Sequence, residues 1–303
     1  MKIFILMSLS GLLSVVAQAK LNVVTTTPDL AAIAHEVGGE RVTVVALARP
    51  MEDPHFVAAK PSFVVKLNRA DVLIEGGAEL ELGWLSALVD QTRNPRIRPG
   101  AAGRVAVARA VRLLEVPTTL DRSRGDIHAL GNPHFMTDPL NGRAAARLIA
   151  EAFCQIDPAA GEAYRAALAQ FESRLETKLA DWEKRLGPFR GARVAAYHNT
   201  WPYFAGRFGL RSDLFLEPKP GIPPTPASLA GVIAQMKADK VRAIIVEPYQ
   251  NRRTAEKVAT ETGAVVLDFT QYPGGVKGTD KGYIELIDHL VGTLAAALEK
   301  GRP

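Results

Sequence analysis

The sequence contains a single cysteine, Cys154, among its 303 residues. An intrachain disulfide and a CxxC metal or redox motif are therefore both excluded. The sequence also has no large excess of charge of one sign, with 37 Lys and Arg residues and 32 Asp and Glu residues. The basic residues form no stripe or patch. This distribution argues against nucleic acid as a partner. Any metal bound by this chain must be held by histidines and carboxylates.

Long apolar runs are absent except at the N terminus. A short basic start is followed by an apolar run over residues 3–16 and by the small-residue sequence Ala-Gln-Ala at 17–19, which is typical of a cleaved secretory signal. The run is shorter than the roughly 20 residues that span a bilayer, although an uncleaved anchor is the alternative. No cysteine stands at the cleavage site to carry a lipid. We expect a mature periplasmic protein that begins at Lys20 and has no stable membrane insertion.

The mature chain alternates short apolar runs with segments of helical periodicity. This alternation predicts an α/β protein with two lobes, each a parallel sheet flanked by helices. The first lobe is expected over residues 20–156 and the second over residues 188–303. The predicted strands are residues 21–27, 41–48 and 71–77 in the first lobe and 192–198, 212–217, 241–247 and 264–269 in the second.

Residues 157–187 are expected to link the two lobes as one long helix. Asp157 and Pro158 provide a helix start, and apolar residues recur at spacings of three and four from Leu168 to Leu186. At about 1.5 Å per residue, such a helix would be roughly 45 Å long. A rigid single connection would restrict hinge bending between the lobes. Two shorter helices are the alternative.

Three of the six histidines stand in unusual local sequences. His55 follows Asp-Pro, and His134 follows Asn-Pro. His198 ends the strand that opens the second lobe, and Asp268 ends the last predicted strand of the same lobe. Ligands of parallel α/β sheets collect outside the carboxyl ends of the strands. Three imidazoles and one carboxylate suit a cation of the zinc type. Spacings of tens of residues give no local proof of a shared site, so ordinary surface or core histidines are the alternative from the residues alone.

Four segments, taken together and in order, resemble the zinc- and manganese-specific solute-binding proteins of bacterial ABC importers. They are DPHFVAAKPSF, GNPHFMTDP, YHNTWPYFAGRFGL and VVLD. The resemblance implies two α/β lobes joined by a rigid helix, with a metal in the cleft between them. It implies His55, His134, His198 and Asp268 as the metal ligands, and a protein that delivers metal to an ABC-type membrane permease. We expect such a protein to be monomeric and not an enzyme.

The resemblance also bears on the metal. Manganese-type members carry glutamate where His198 stands, so the additional nitrogen favours zinc, with manganese as the alternative. Many zinc-type members have a long His-rich loop in the first lobe, whereas the corresponding stretch here has only His128. His128 is interpreted as a loop residue or an auxiliary ligand, and Glu247 as a structural carboxylate or a cleft residue. A zinc hydrolase is a further alternative, but no HExxH or GxSxG motif supports it.

Overall fold

The computed structural model describes residues 19–119 and 128–300. The predicted signal sequence therefore lies, except for its last residue, outside the described residues. Within the described part of the chain, no helix is long and apolar enough to cross a membrane.

The first lobe is built on a four-stranded parallel sheet. Its strands are β1 (Leu21–Thr25), β2 (Val42–Ala46), β3 (Val72–Glu75) and β4 (Arg104–Ala106), in the order β2-β1-β3-β4. The helices of this lobe are α1 (Pro28–Gly38), α2 (Pro61–Arg69), α3 (Leu85–Asp90) and α4 (Pro139–Ile156). The first three strands follow the predicted apolar runs. The short β4 was not predicted, because three residues are too few to show a period.

The second lobe repeats this arrangement. Its strands are β5 (Arg193–Ala196), β6 (Arg211–Phe215), β7 (Ala243–Val246) and β8 (Val265–Asp268), in the order β6-β5-β7-β8 and again all parallel. The helices are α6 (Pro202–Phe208), α7 (Pro226–Ala238), α8 (Arg252–Thr262) and α9 (Tyr283–Lys300). All four residues of β7 are buried, as expected for a central strand that helices cover on both faces. In both lobes, the first strand in the chain lies inside the sheet and the second lies at its edge.

One long helix, α5 (Gly161–Leu186), connects the two lobes. A 3₁₀ turn over Pro158–Ala160 precedes it, so the α-helix begins four residues later than the sequence predicted. Its 26 residues form one continuous helix of about 39 Å. The predicted apolar face is buried, with Phe171, Leu175 and Trp182 almost fully inaccessible. The single connecting helix confirms that part of the predicted architecture.

The two sheets share a continuous hydrophobic core. Helix α5 packs against α1 and α4 of the first lobe and against α9, and α9 also contacts strands β7 and β8. The Tyr283 side chain of α9 packs directly on the α4 backbone at Gly142, where an added Cβ atom would lie 2.3 Å from the buried ring of Tyr283. The Tyr283 hydroxyl donates to the Met136 carbonyl oxygen at 2.7 Å. The lobes are thus fastened by packed helices in addition to the connection through α5.

Candidate metal-binding site

His55 lies in the loop that follows β2. Its backbone N–H donates to Asp53 Oδ1 at 3.0 Å, a short turn that the intervening proline supports. The indole N–H of buried Trp84 donates to the Pro54 carbonyl oxygen at 2.9 Å. The hydrogen bond from Trp84 therefore anchors the loop to the first lobe at Pro54, directly before His55.

His134 is buried at the boundary between the lobes. Its backbone N–H donates to Asn132 Oδ1 at 2.9 Å, and the Asn132 side-chain amide donates to the Asn199 carbonyl oxygen at 2.9 Å. Tyr203 of the second lobe donates its hydroxyl hydrogen to the Asn132 carbonyl oxygen at 2.7 Å. Asn132 thus links the His134 loop to the segment that carries His198.

A partly buried ion pair holds the C-terminal side of the His134 loop. Asp138 caps helix α4, as its position before Pro139 suggests, by accepting from the Leu140 N–H at 2.9 Å. The two carboxylate oxygens of Asp138 also accept from Arg207 of the second lobe, each at 2.8 Å. Paired bonds of this kind fix the geometry more strictly than one bond does.

His198 lies two residues after the end of β5, near the middle of the second sheet. Its Nδ1 atom is 2.8 Å from Glu217 Oε2, and both side chains are only 16% exposed. Glu217 follows the neighbouring strand β6. The carboxyl ends of two adjacent parallel strands therefore bring this pair together.

The three histidines converge on one point between the lobes. His55 Nε2 and His134 Nε2 are 3.4 Å apart, and one ring nitrogen from each of His55, His134 and His198 lies within 4.8 Å of the others. The ring centroids are separated by 5.1 to 6.2 Å. The lobes contribute unequally, with His55 and His134 from the first and His198 from the second. This geometry allows one cation to contact all three rings.

Hydrogen bonds on the far side of two rings fix their tautomers. Gln271 Oε1 is 2.9 Å from His134 Nδ1, while the Gln271 amide nitrogen donates to Glu247 at 3.0 Å and to the Tyr249 hydroxyl oxygen at 3.2 Å. Gln271 Oε1 can only accept, so His134 Nδ1 carries the hydrogen. Glu217 imposes the same state on His198. In both rings the Nε2 lone pair is available to a metal, in the arrangement that outer partners of metal-binding histidines usually create.

The three imidazoles differ in their affinity for protons. Burial, together with the neighbouring imidazoles, lowers the pKa of His55 to about 3 and holds the pKa of His134 well below its usual range. Burial also opposes the charged form of His198, but the hydrogen bond and charge of Glu217 and the charges of Glu247 and Asp53 raise its pKa overall. Two of the three ring systems are thus neutral at physiological pH.

Asp268, the fourth predicted ligand, does not lie beside the three histidines in this structure. Strand β8 is two strands away from β5, or about 10 Å across the sheet. The Asp268 side chain is 59% exposed and is paired with Arg252. Within residues 19–119 and 128–300, the group that could hold a metal consists of His55, His134 and His198 without a carboxylate.

Sequence reasoning missed Gln271 and Glu217, which contact the histidines from behind. Gln271 comes three residues after Asp268, where the chain turns from the sheet edge into the buried boundary between the lobes. A neutral glutamine has no signature as a partner of a metal ligand. The position of Glu217 directly after a predicted strand, next to the strand that His198 follows, was a usable signal.

Two residues whose roles the sequence left open are placed by the structure. Glu247 is buried, and it accepts hydrogen bonds from Thr200 at 2.7 Å and from Gln271. It is a hydrogen-bonded carboxylate beneath the site, and burial raises its pKa. His128 lies at the mouth of the site, where its ring stacks on that of His55 with 4.9 Å between the centroids.

Comparison with known proteins places the chain in a family. Residues 23–297 match the family described as ZnuA, zinc-uptake complex component A, periplasmic. The match covers most of the chain, so the protein belongs to this family. Its members are substrate-binding components of ABC importers and not enzymes, and this chain is accordingly the metal-binding component of such an importer.

Individual relatives carry different metals in their names. The iron-binding protein YfeA of Yersinia pestis is 25% identical, over 97% of this chain and 94% of its own length. The manganese ABC transporter substrate-binding lipoprotein PsaA of Streptococcus anginosus is 22% identical, over 84% of this chain and 80% of its own length.

Solved structures share the fold. A crystal structure of ZnuA superposes with a TM-score of 0.76 at 21% identity, covering 92% of this chain and 99% of that one. A manganese-bound periplasmic metal-binding protein from Candidatus Liberibacter asiaticus gives the same TM-score at 20% identity, covering 92% of this chain and 100% of that one. The fold is therefore common to proteins whose names differ in their metal.

Proposed function

We propose that this protein captures zinc in the periplasm, through His55, His134 and His198, and delivers it to the membrane permease of an ABC importer. The convergence of three imidazole rings at the boundary of the lobes is the observation that carries the proposal. Fixed Nδ1–H tautomers on His134 and His198 turn Nε2 toward the shared point. These groups are ready to replace water molecules on an incoming cation.

The donor set favours zinc over manganese and iron. Imidazole suits zinc, whereas manganese prefers oxygen ligands, and zinc stands above both iron(II) and manganese(II) in affinity for a given nitrogen site. The carboxylates of Glu217 and Asp53 lie nearby and act on the charge of His198. We assign them no role as metal ligands. Zinc carries two positive charges, which these carboxylates offset at short range without binding the metal themselves.

The proposal extends to the organisation of the mature protein. We take residues 20–156 and 188–303 as the two lobes, residues 157–187 as their link, and a monomer that begins at Lys20 after signal cleavage. The packing of α5 and α9 against both lobes favours release of metal by modest tilting of the lobes or by local loop motion. Wide hinge opening would break this packing.

Competition titration of the mature protein, purified without a His tag, tests the choice of metal. Zinc should bind in preference to manganese and iron(II), and His198→Glu should shift the ratio of zinc to manganese affinity toward manganese because oxygen replaces nitrogen. His35→Ala is the matched control, since His35 is exposed at the end of α1. Equal zinc and manganese affinities in the unmutated protein would contradict the assignment.

A further inference from the structure

One carboxylate oxygen of Glu115 joins two residues that flank histidines of the site on opposite lobes. Glu115 Oε2 accepts from the side-chain amide of Asn132 at 2.9 Å and from that of Asn199 at 2.7 Å. Asn132 stands two residues before His134, and Asn199 directly follows His198. Glu115 therefore connects the loop that carries His134 with the segment of the second lobe that carries His198.

This connection uses every hydrogen-bonding group of the Asn132 side chain. Its oxygen accepts from the His134 backbone N–H at 2.9 Å, and its amide nitrogen donates to Glu115 and, at 2.9 Å, to the Asn199 carbonyl oxygen. A side-chain amide has two hydrogens to donate, so each of them has one acceptor. The orientation of Asn132, and with it the backbone position of His134, is thus fixed by bonds that reach the second lobe.

The backbone around Glu115 brings its side chain to this place. Glu115 is left-handed, with a φ of 54°, a conformation that is uncommon outside glycine and persists where surrounding contacts hold it. The preceding Leu114 donates its N–H to the Tyr203 hydroxyl oxygen at 2.8 Å, and its carbonyl oxygen accepts from the Asn132 N–H at 2.8 Å. A Cβ atom on Gly131 would lie 2.7 Å from the same carbonyl oxygen, so glycine permits this close approach. Contacts with both lobes therefore hold the left-handed turn.

Glu115 lies at the rim of the metal site and not in the core. It is exposed, and it lines the cavity of about 440 Å³ that opens onto His134 and His198. Loss of its side chain would uncover no apolar core and would leave the bond from Asn132 to the Asn199 carbonyl oxygen in place. We therefore expect the fold to tolerate removal of the carboxylate, while the two segments are held together less firmly.

We propose that Glu115 is a positioning residue that holds His134 and His198 side by side before the metal arrives and slows their separation when the metal leaves. This inference rests on the proposed function, because it assumes that both histidines bind the ion. A site whose ligands are already in place loses less conformational freedom on binding, so its affinity is higher. Variants of one binding site usually differ most in the dissociation rate, so Glu115 should act chiefly on the loss of metal.

The test compares Glu115→Ala with Glu115→Gln in the mature protein, with zinc as the added metal. Competition with a chelator gives the affinity, and stopped-flow transfer of zinc to excess chromophoric chelator gives the dissociation rate. Direct partners of metal ligands contribute about 10–100-fold, so Glu115→Ala, which acts through the asparagines, should weaken binding about tenfold, mostly by faster dissociation. Glu115→Gln keeps an oxygen that can accept both amide hydrogens, so it should recover most of the loss.

A double variant shows whether Glu115 acts through the proposed contact. Asn199→Ala removes the amide that Glu115 accepts from and keeps the main-chain carbonyl that Asn132 uses. Residues that act through one contact are not additive, so the loss of zinc affinity in the double variant should be clearly smaller than the product of the two single losses. Glu40→Ala, at an exposed site of the first lobe, is the control for loss of a negative charge and should change neither quantity.

The outcomes separate this inference from the proposed function. An unchanged dissociation rate in Glu115→Ala, an equal loss in Glu115→Gln, or fully multiplicative losses in the double variant would overturn the positioning role. A metal-free Glu115→Ala protein that melts far below the unmutated one would also overturn it, because the role would then be general stability. Zinc binding that is unweakened in both His134→Ala and His198→Ala would instead refute the proposed site itself, whatever the Glu115 variants show.

Discussion

Replacing Glu217 by glutamine should alter both the strength of zinc binding and its dependence on pH. The Glu217 carboxylate accepts from His198 Nδ1 at 2.8 Å and raises the pKa of this histidine. The pKa of His55 is lowered to about 3, and that of His134 lies well below its usual range. Of the three proposed ligands, His198 is therefore the one that takes up a proton under mildly acidic conditions.

The magnitude follows from competition between zinc and one proton for His198 Nε2. Below the pKa of His198, each pH unit should weaken binding about tenfold, which is about 1.4 kcal/mol. A plot of log Kd against pH should have a slope of about one in magnitude on its acid limb, since the other two rings are already neutral.

Glu217→Gln keeps a hydrogen-bond acceptor but removes the negative charge. The pKa of His198 should fall, so the acid limb should begin at a lower pH than in the unmutated protein. At neutral pH zinc affinity should fall by about 10–100-fold, because a carboxylate partner raises the basicity of a metal-bound imidazole. The difference between the two proteins should narrow on acidification.

Competition with a chromophoric chelator from about pH 5 to pH 8 measures both effects over the range in which histidine normally titrates. Glu40→Gln, at an exposed site in the first lobe, is the matched control for loss of one negative charge. An acid slope of two or three, or an acid limb that is unchanged in Glu217→Gln, would refute the assignment of acid sensitivity to His198.

Two further predictions concern packing and processing. Gly142→Ala should destabilise the metal-free protein by about 1–3 kcal/mol in chemical denaturation, since the added methyl group would overlap the buried Tyr283 ring; an unchanged midpoint would show that α4 and α9 are not closely packed there. The exported protein should begin at Lys20 in N-terminal sequencing, and a start at Met1 would rule out signal cleavage.

The architecture could be predicted from the sequence because its signals are local and repeated. Apolar runs such as that of β7 and the periodic face of α5 are visible within a dozen residues, and alternation of strands with helices requires parallel sheets. The start of α5 was misplaced because Pro158 is compatible with both a 3₁₀ turn and the first turn of an α-helix. Strand β4 was too short to detect.

The candidate site could be predicted only in part. Proline before His55 and His134, and the strand before His198, are sequence signals that the structure brings together. Asp268 also ends a strand, but the strand-end rule does not say which strand lies at the edge of the sheet. Gln271 lies beside His134 because of the path that the chain follows after β8. That path depends on tertiary packing, so no local sequence pattern predicts it.

Thermal unfolding with and without zinc tests most directly whether the metal is held between the lobes. At free zinc about 1,000 times the dissociation constant, binding to the folded chain should add about 4 kcal/mol. At about 2–4 °C per kcal/mol, this corresponds to an increase in Tm on the order of 10 °C. His55→Ala in the first lobe and His198→Ala in the second should each remove most of the increase, while His35→Ala should retain it. A zinc-induced increase that survives in both His55→Ala and His198→Ala would contradict the account.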